Sequence, residues 1–314
     1  MITRRQYLSA CLAAGVSLVL PTRHLLAADA PLALGTKPIP GTQENLPMVG
    51  LGSSASFAQM AGSDDHTGLA EVLHALIDNG GTLFDTAPSY GASEAVAGGL
   101  VRESGLADKF FWATKLNVAG RDGGSADPDA ARAQLETSFQ RIGKDPIDLV
   151  QVHNMGDPET QLALLREYKE AGRIRYLGIT TTFANQYAHL EQVMQAEALD
   201  FIGIDYAIDN RGMEERILPL AQERGIVVLV YAPFGRTRLW QTVRDTPLPA
   251  WAAEFDAHTW AQFFLKFVLS HPAVTATTPA TTKVKHLLDN LGGGIGRFPD
   301  ADQRQRMIDL IENL

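Results

Sequence analysis

From residue 46 onward, short apolar runs alternate with amphipathic stretches, the pattern of a parallel sheet covered by helices. Eight runs predict strands at 46–51, 83–87, 110–116, 149–153, 176–180, 201–206, 227–231 and 274–278. Between them, 69–78, 129–141, 159–170 and 214–223 carry apolar residues at helical spacing. Eight such units closing on themselves give an α/β fold of the (β/α)8 TIM-barrel type. No shorter repeat and no low-complexity linker interrupts the pattern, which predicts a single domain. The stretch 31–45, containing Gly and Pro, is expected to plug the barrel floor. The long segment 235–256, after the seventh strand, is expected to form a lid.

The first thirty residues follow different rules. Thr3-Arg4-Arg5-Gln6-Tyr7-Leu8 leads into an apolar stretch at 8–20, then Arg23-His24, then Ala28-Asp29-Ala30, in the order of charged, apolar and small-residue cleavage regions. This order resembles a twin-arginine export signal, with Tyr7 and Ser9 departing from the consensus Ser/Thr-Arg-Arg-x-Phe-Leu-Lys. The resemblance implies a signal peptide at 1–30 and a barrel at 31–314. It also implies passage through the twin-arginine translocation machinery to the periplasm or beyond. The competing reading is an ordinary N-terminal helix or a membrane anchor, but the apolar run is short for a bilayer, so no stable membrane span is expected after cleavage.

Composition narrows the function. A chain of 314 residues, 45% hydrophobic and 20% charged, can bury one large core. With 27 basic against 36 acidic residues the formal charge is −9, and no Lys/Arg-rich run occurs in the body of the chain, which argues against nucleic acid as a partner. The only cysteine, Cys11, falls in the expected signal, so the mature chain needs no disulfide. His153, His258, His271 and His286 lack metal-ligand spacing.

Four side chains suited to carbonyl reduction, Asp85, Tyr90, Lys115 and His153, stand at or just past the ends of successive expected strands. In a parallel barrel such ends converge on one mouth. Adding hydride to a carbonyl builds negative charge on oxygen, which calls for a proton donor within hydrogen-bond reach. Tyr90 can be that donor if a nearby cation favours its phenolate, and Lys115 would supply the charge. Asp85 would pair with the ammonium, and His153 would orient the substrate oxygen. Each residue alone has an ordinary structural role; four complementary types on three successive strand ends point to chemistry.

These residues carry a family resemblance. Asp85-Thr86-Ala87-Pro88-Ser89-Tyr90-Gly91, with Glu94 following, resembles the aldo-keto reductase signature Asp-Thr-Ala-x-x-Tyr-Gly. Thr114-Lys115 and Asp148-Leu149-Val150-Gln151-Val152-His153-Asn154 are similar to the lysine and histidine segments of that family. The resemblance spans about 46–290 and implies a nicotinamide nucleotide cofactor, NADP with NAD possible, a small carbonyl substrate, and tetrad roles for Asp85, Tyr90, Lys115 and His153.

Cofactor recognition departs from the family pattern. A Ser-Asn pair after the fifth strand and a Gln on the sixth hold the carboxamide in the family, where this chain has Thr180-Thr181 and Gly203. Tyr231 keeps the ring on which a nicotinamide would stack. Toward the C-terminus, Thr281, Lys283, Asp289 and Asn290 fall in a segment similar to the family's adenosine-phosphate clamp, with Ala280 and His286 where NADPH users often carry Lys and Arg. These departures leave open a nucleotide-binding or scaffold protein on the same barrel with little or no turnover.

Overall fold

The computed structural model describes residues 33–119 and 124–314; the expected signal lies outside them. An antiparallel hairpin, β1 (Thr36–Pro38) and β2 (Asn45–Pro47), precedes the barrel. The barrel strands are β3 (Leu51–Gly52), β4 (Leu83–Asp85), β5 (Phe111–Leu116), β6 (Ile147–Val152), β7 (Ile174–Thr181), β8 (Phe201–Asp205), β9 (Val227–Tyr231) and β10 (Ala276–Thr277). All neighbours pair in parallel in sequence order, and bridges from Val49 to Thr277 and from Gly52 to Ala280 join the first strand to the last. The result is the expected (β/α)8 barrel. One element differs: the run 46–51 is divided between hairpin and barrel, because Pro47 has no N–H with which to continue a ladder.

The helices start and stop where local chemistry directs. Asp127 accepts from the backbone N–H of Asp129 at 2.9 Å ahead of the helix Pro128–Ile142, with Pro at its first position and the left-handed Gly143 beyond its end. Asp157 caps Pro158–Glu170 in the same way through the N–H of Thr160.

Side-chain alternation along the strands divides the apolar residues into two cores. Phe84, Trp112, Val150, Ile179, Ile202 and Val228 face outward and pack beneath the helices. Leu83, Phe111, Leu149, Phe201, Val227 and Ala276 face inward, where Ile39 and Leu46 of the hairpin join them and close the floor. Burying those two side chains contributes roughly 3–6 kcal/mol before entropic costs. Lys37 ties the hairpin down further, donating to the carbonyls of Leu269 and Val274 at 3.1 and 2.5 Å. The stretch 235–256 is not a bare loop. It holds a short helix, Arg238–Thr242, and a 3-10 turn, Ala250–Phe255, and is anchored where Arg297 meets Asp256 at 2.7 Å and where Trp260 donates to the Thr246 carbonyl at 2.9 Å.

Candidate active site

Above the inward apolar layer, the next inward positions are polar: Asp85 on β4, Lys115 on β5, Gln151 on β6 and Tyr231 on β9. Lys115 Nζ donates to Asp85 Oδ1 and Oδ2 at 2.8 and 2.9 Å and to the Thr86 carbonyl at 2.8 Å. The Tyr231 hydroxyl donates to Asp85 Oδ2 at 3.0 Å and accepts from Gln151 Nε2 at 2.9 Å.

Tyr90 reaches this group from the turn after β4, whose first bond runs from its N–H to the Ala87 carbonyl at 3.0 Å. Gly91 adopts φ 58°, a left-handed conformation that lets the chain reverse into the helix Ser93–Glu103. The Lys115 ammonium lies 5.2 Å from the Tyr90 ring centre and 5.1 Å from that of Tyr231, between two aromatic faces. His153, the first residue after β6, meets Tyr90 edge-on with ring centres 5.9 Å apart.

Burial dominates the electrostatics. It works against the Lys115 ammonium, but the Asp85 carboxylate and Tyr90 together more than offset this and hold the amine above the ordinary lysine value. Burial raises the Asp85 carboxyl, while Lys115 and the Tyr231 hydroxyl favour its ionised form. For Tyr90, burial raises the phenol above its usual value and the Lys115 charge only partly opposes it. The acidification expected from the sequence is therefore outweighed, and Tyr90 is a protonated phenol at neutral pH. Burial, then the Lys115 charge, lowers His153 to about 3, leaving a neutral imidazole.

The four residues line one end of a cavity of about 1190 Å³ that extends to Thr281, Asp289 and Asn290. Pockets for a single small ligand measure about 300–1,000 Å³, so this one has room for a dinucleotide beside a small substrate. Thr180 lines it, its oxygen accepting from the Asn154 N–H at 3.2 Å. Thr181 does not: successive strand residues face opposite sides, and its hydroxyl donates to Gln186 Oε1 at 2.6 Å. Lys283 has an exposed side chain off the lining, and its backbone N–H donates to the Thr281 hydroxyl at 3.2 Å. Asp289 lines the cavity and accepts from Thr259 and Gln262 at 2.8 and 2.9 Å. Asn290 is buried but borders the same space. Thr180, Thr281 and Asn290 offer hydroxyl and carboxamide groups, and Trp260 a ring, of the kinds a nicotinamide nucleotide needs.

Gln151 was not among the expected site residues. Its signal was legible: a polar side chain on an entirely buried strand, two positions before His153 and so on the inward face. At Gly203, a Cβ would lie 2.8 Å from both Cζ and the hydroxyl oxygen of Tyr231, too close to coexist with the ring.

The profile of the Aldo/keto reductase family matches residues 48–305. Aldo-keto reductase str7 of Strobilurus tenacellus is 26% identical over 273 residues, 77% of this chain and 80% of that protein. The NADH-specific methylglyoxal reductase of Escherichia coli (strain K12) is 32% identical over 191 residues, which cover 54% of this chain and 57% of that enzyme. The crystal structure of an aldo/keto reductase from Klebsiella pneumoniae in complex with NADP and acetate superposes with a TM-score of 0.68 at 23% identity, covering 86% of this chain and 93% of that one. With the profile spanning the barrel and its polar upper layer, the chain belongs to the aldo/keto reductase family.

Proposed function

We propose that the protein reduces a small aldehyde or ketone with a nicotinamide nucleotide, Tyr90 acting as general acid. The observation that carries this reading is the buried Lys115–Asp85 pair beside a protonated Tyr90 at one end of a dinucleotide-sized cavity. When bound, a reduced nicotinamide supplies hydride to the carbonyl carbon. Tyr90 gives its proton to the carbonyl oxygen, and the phenolate left behind faces the Lys115 charge, which stabilises it. Asp85 keeps Lys115 charged and fixed. Neutral His153 offers a ring N–H to the substrate oxygen without competing as an acid. Tyr90→Phe should lower turnover of an aldehyde panel by about 10²–10⁴-fold, followed as loss of reduced-nicotinamide absorbance, with nucleotide affinity retained. Equal rates in both proteins would remove Tyr90 from the mechanism.

Against the NADP expected from the resemblance, we propose NADH as the preferred nucleotide, and the lining of the far end of the cavity supports this. Ala280, Thr281, His286, Asp289 and Asn290 line it without Lys or Arg, Lys283 is turned out, and the Asp289 carboxylate would repel a 2′-phosphate. An NADH-specific relative is in keeping with this. Titrating both nucleotides into the purified protein tests it: tighter NADPH binding refutes the preference.

Residues 1–30 support export by the twin-arginine route. That route would carry the folded barrel with its nucleotide. Lys replacements of Arg4 and Arg5 should retain the protein in the cytoplasm; unchanged export would exclude the route.

A further inference from the structure

The established family accounts for an acid, a cation and a carboxylate, but not for a second phenol hydrogen-bonded to that carboxylate. Asp85 is buried and accepts three contacts: two from the Lys115 ammonium and one from the Tyr231 hydroxyl at 3.0 Å. A phenol has one proton. Asp85 as a carboxylate can only accept, so the Tyr231 proton is committed to it, and the hydroxyl oxygen takes its own hydrogen bond from Gln151 Nε2 at 2.9 Å. Gln151 Oε1 has no partner among the described residues, which fits an amide held by this single donated bond.

The ring can reach Asp85 because β8 leaves room for it. At Gly203 any side chain would collide with Cζ and the hydroxyl of Tyr231, both 2.8 Å from where a Cβ would stand. Three strands therefore cooperate: β8 clears the space, β9 fills it with Tyr231, and β6 supplies the amide that orients the hydroxyl.

We infer that Tyr231, seated on Gly203 and oriented by Gln151, is a positioning residue that keeps Asp85 ionised and thereby keeps Lys115 charged beneath Tyr90. Gly203 and Tyr231 thus act as one unit, in which the missing side chain is as necessary as the phenol. The titratable groups facing Asp85 are Lys115 from β5, Tyr231 from β9 and Tyr90 from the turn after β4; His153 faces Lys115, and Arg236 acts on Tyr90. A hydrogen bond from a neutral donor to a buried carboxylate favours the ionised form, so its loss raises the carboxyl's pKa.

The inference rests on the function proposed above and is tested by two readouts in the full barrel. In Tyr231→Phe the acidic limb of the pH–kcat profile should move up by about one unit, the size of one hydrogen bond to a charged group. Gly203→Ala keeps the phenol but pushes the ring off its seat, and should move the limb in the same direction. The second readout needs no turnover: thermal melting of nucleotide-free protein against pH. The bond favours ionised Asp85, so it lowers that group's folded pKa. Its stabilisation is complete above the higher carboxyl pKa of the Tyr231→Phe variant and is lost as pH falls from there through the wild-type value. The melting deficit of Tyr231→Phe should accordingly be largest at neutral pH and shrink toward acid. An unmoved acidic limb in both variants, or a deficit equal at every pH, overturns the inference. If Tyr90→Phe keeps full activity, the proposed function fails instead, and the melting comparison alone decides whether Tyr231 holds Asp85.

Discussion

The two ends of the cavity are built differently. At the tetrad end, Asp85, Lys115, Gln151 and Tyr231 stand on β4, β5, β6 and β9, and each is fixed by hydrogen bonds to another or to backbone. At the far end, Thr281 lies in the turn after β10, while His286, Asp289 and Asn290 ride on the helix Val284–Gly292. Strands place side chains by a two-residue period that tolerates little variation. Turns and helices do not, so Asp85 and Lys115 beneath Tyr90 are rigidly set while the groups at the far end are free to diverge. That contrast explains how an intact tetrad can coexist with an altered clamp.

The largest effect should come from breaking the buried pair. Lys115→Met leaves the Asp85 carboxylate without its counter-charge and should destabilise the barrel by about 3–5 kcal/mol, read by chemical denaturation, besides abolishing turnover. A change of similar cost at the exposed Arg132–Glu167 pair would erase the distinction between buried and surface charges that this rests on.

A second test uses the desolvation of the tetrad end. His153 stays neutral in the folded chain down to about pH 3, whereas an unfolded histidine protonates near 6.5. Between those values the unfolded state binds more protons, so stability falls as pH drops, by at most about 1.4 kcal/mol per unit. His153→Asn should flatten that slope. A slope unaltered by the substitution would mean that the imidazole is solvated.

The smallest effect separates two neighbours on β7. Thr180→Val should weaken nucleotide binding several-fold, about 1 kcal/mol for one hydrogen bond, whereas Thr181→Val should leave it unchanged. Equal losses at both positions would place the two hydroxyls on the same side of the strand.

Much of this was legible in the chain. Seven of the eight expected strands match in place, with ends displaced by a few residues, because apolar runs between helical patterns report a buried parallel sheet directly. The hairpin was not, since Pro47 interrupts a run whose hydrophobicity reads as continuous. Of the site, the gathering of Asp85, Tyr90, Lys115 and His153 at one mouth followed from strand ends, and the outward side chain of Thr181 was readable from alternation alone. Gly203 is a different matter. A residue without a side chain gives no local sign that it accommodates a ring from the next strand; that contact spans Gly203 to Tyr231 and exists only once the sheet is assembled. The net strength of Tyr90 as an acid was also hidden, because it depends on how completely the fold removes water.

The division of the strands into inner and outer faces has a practical corollary for anyone wishing to retune this enzyme. Val150, Ile202 and Val228 belong to the shell outside the sheet, while their immediate neighbours in sequence face the barrel interior. The outer shell and the barrel interior can accordingly be altered through separate sets of codons, interleaved one by one along the same strands.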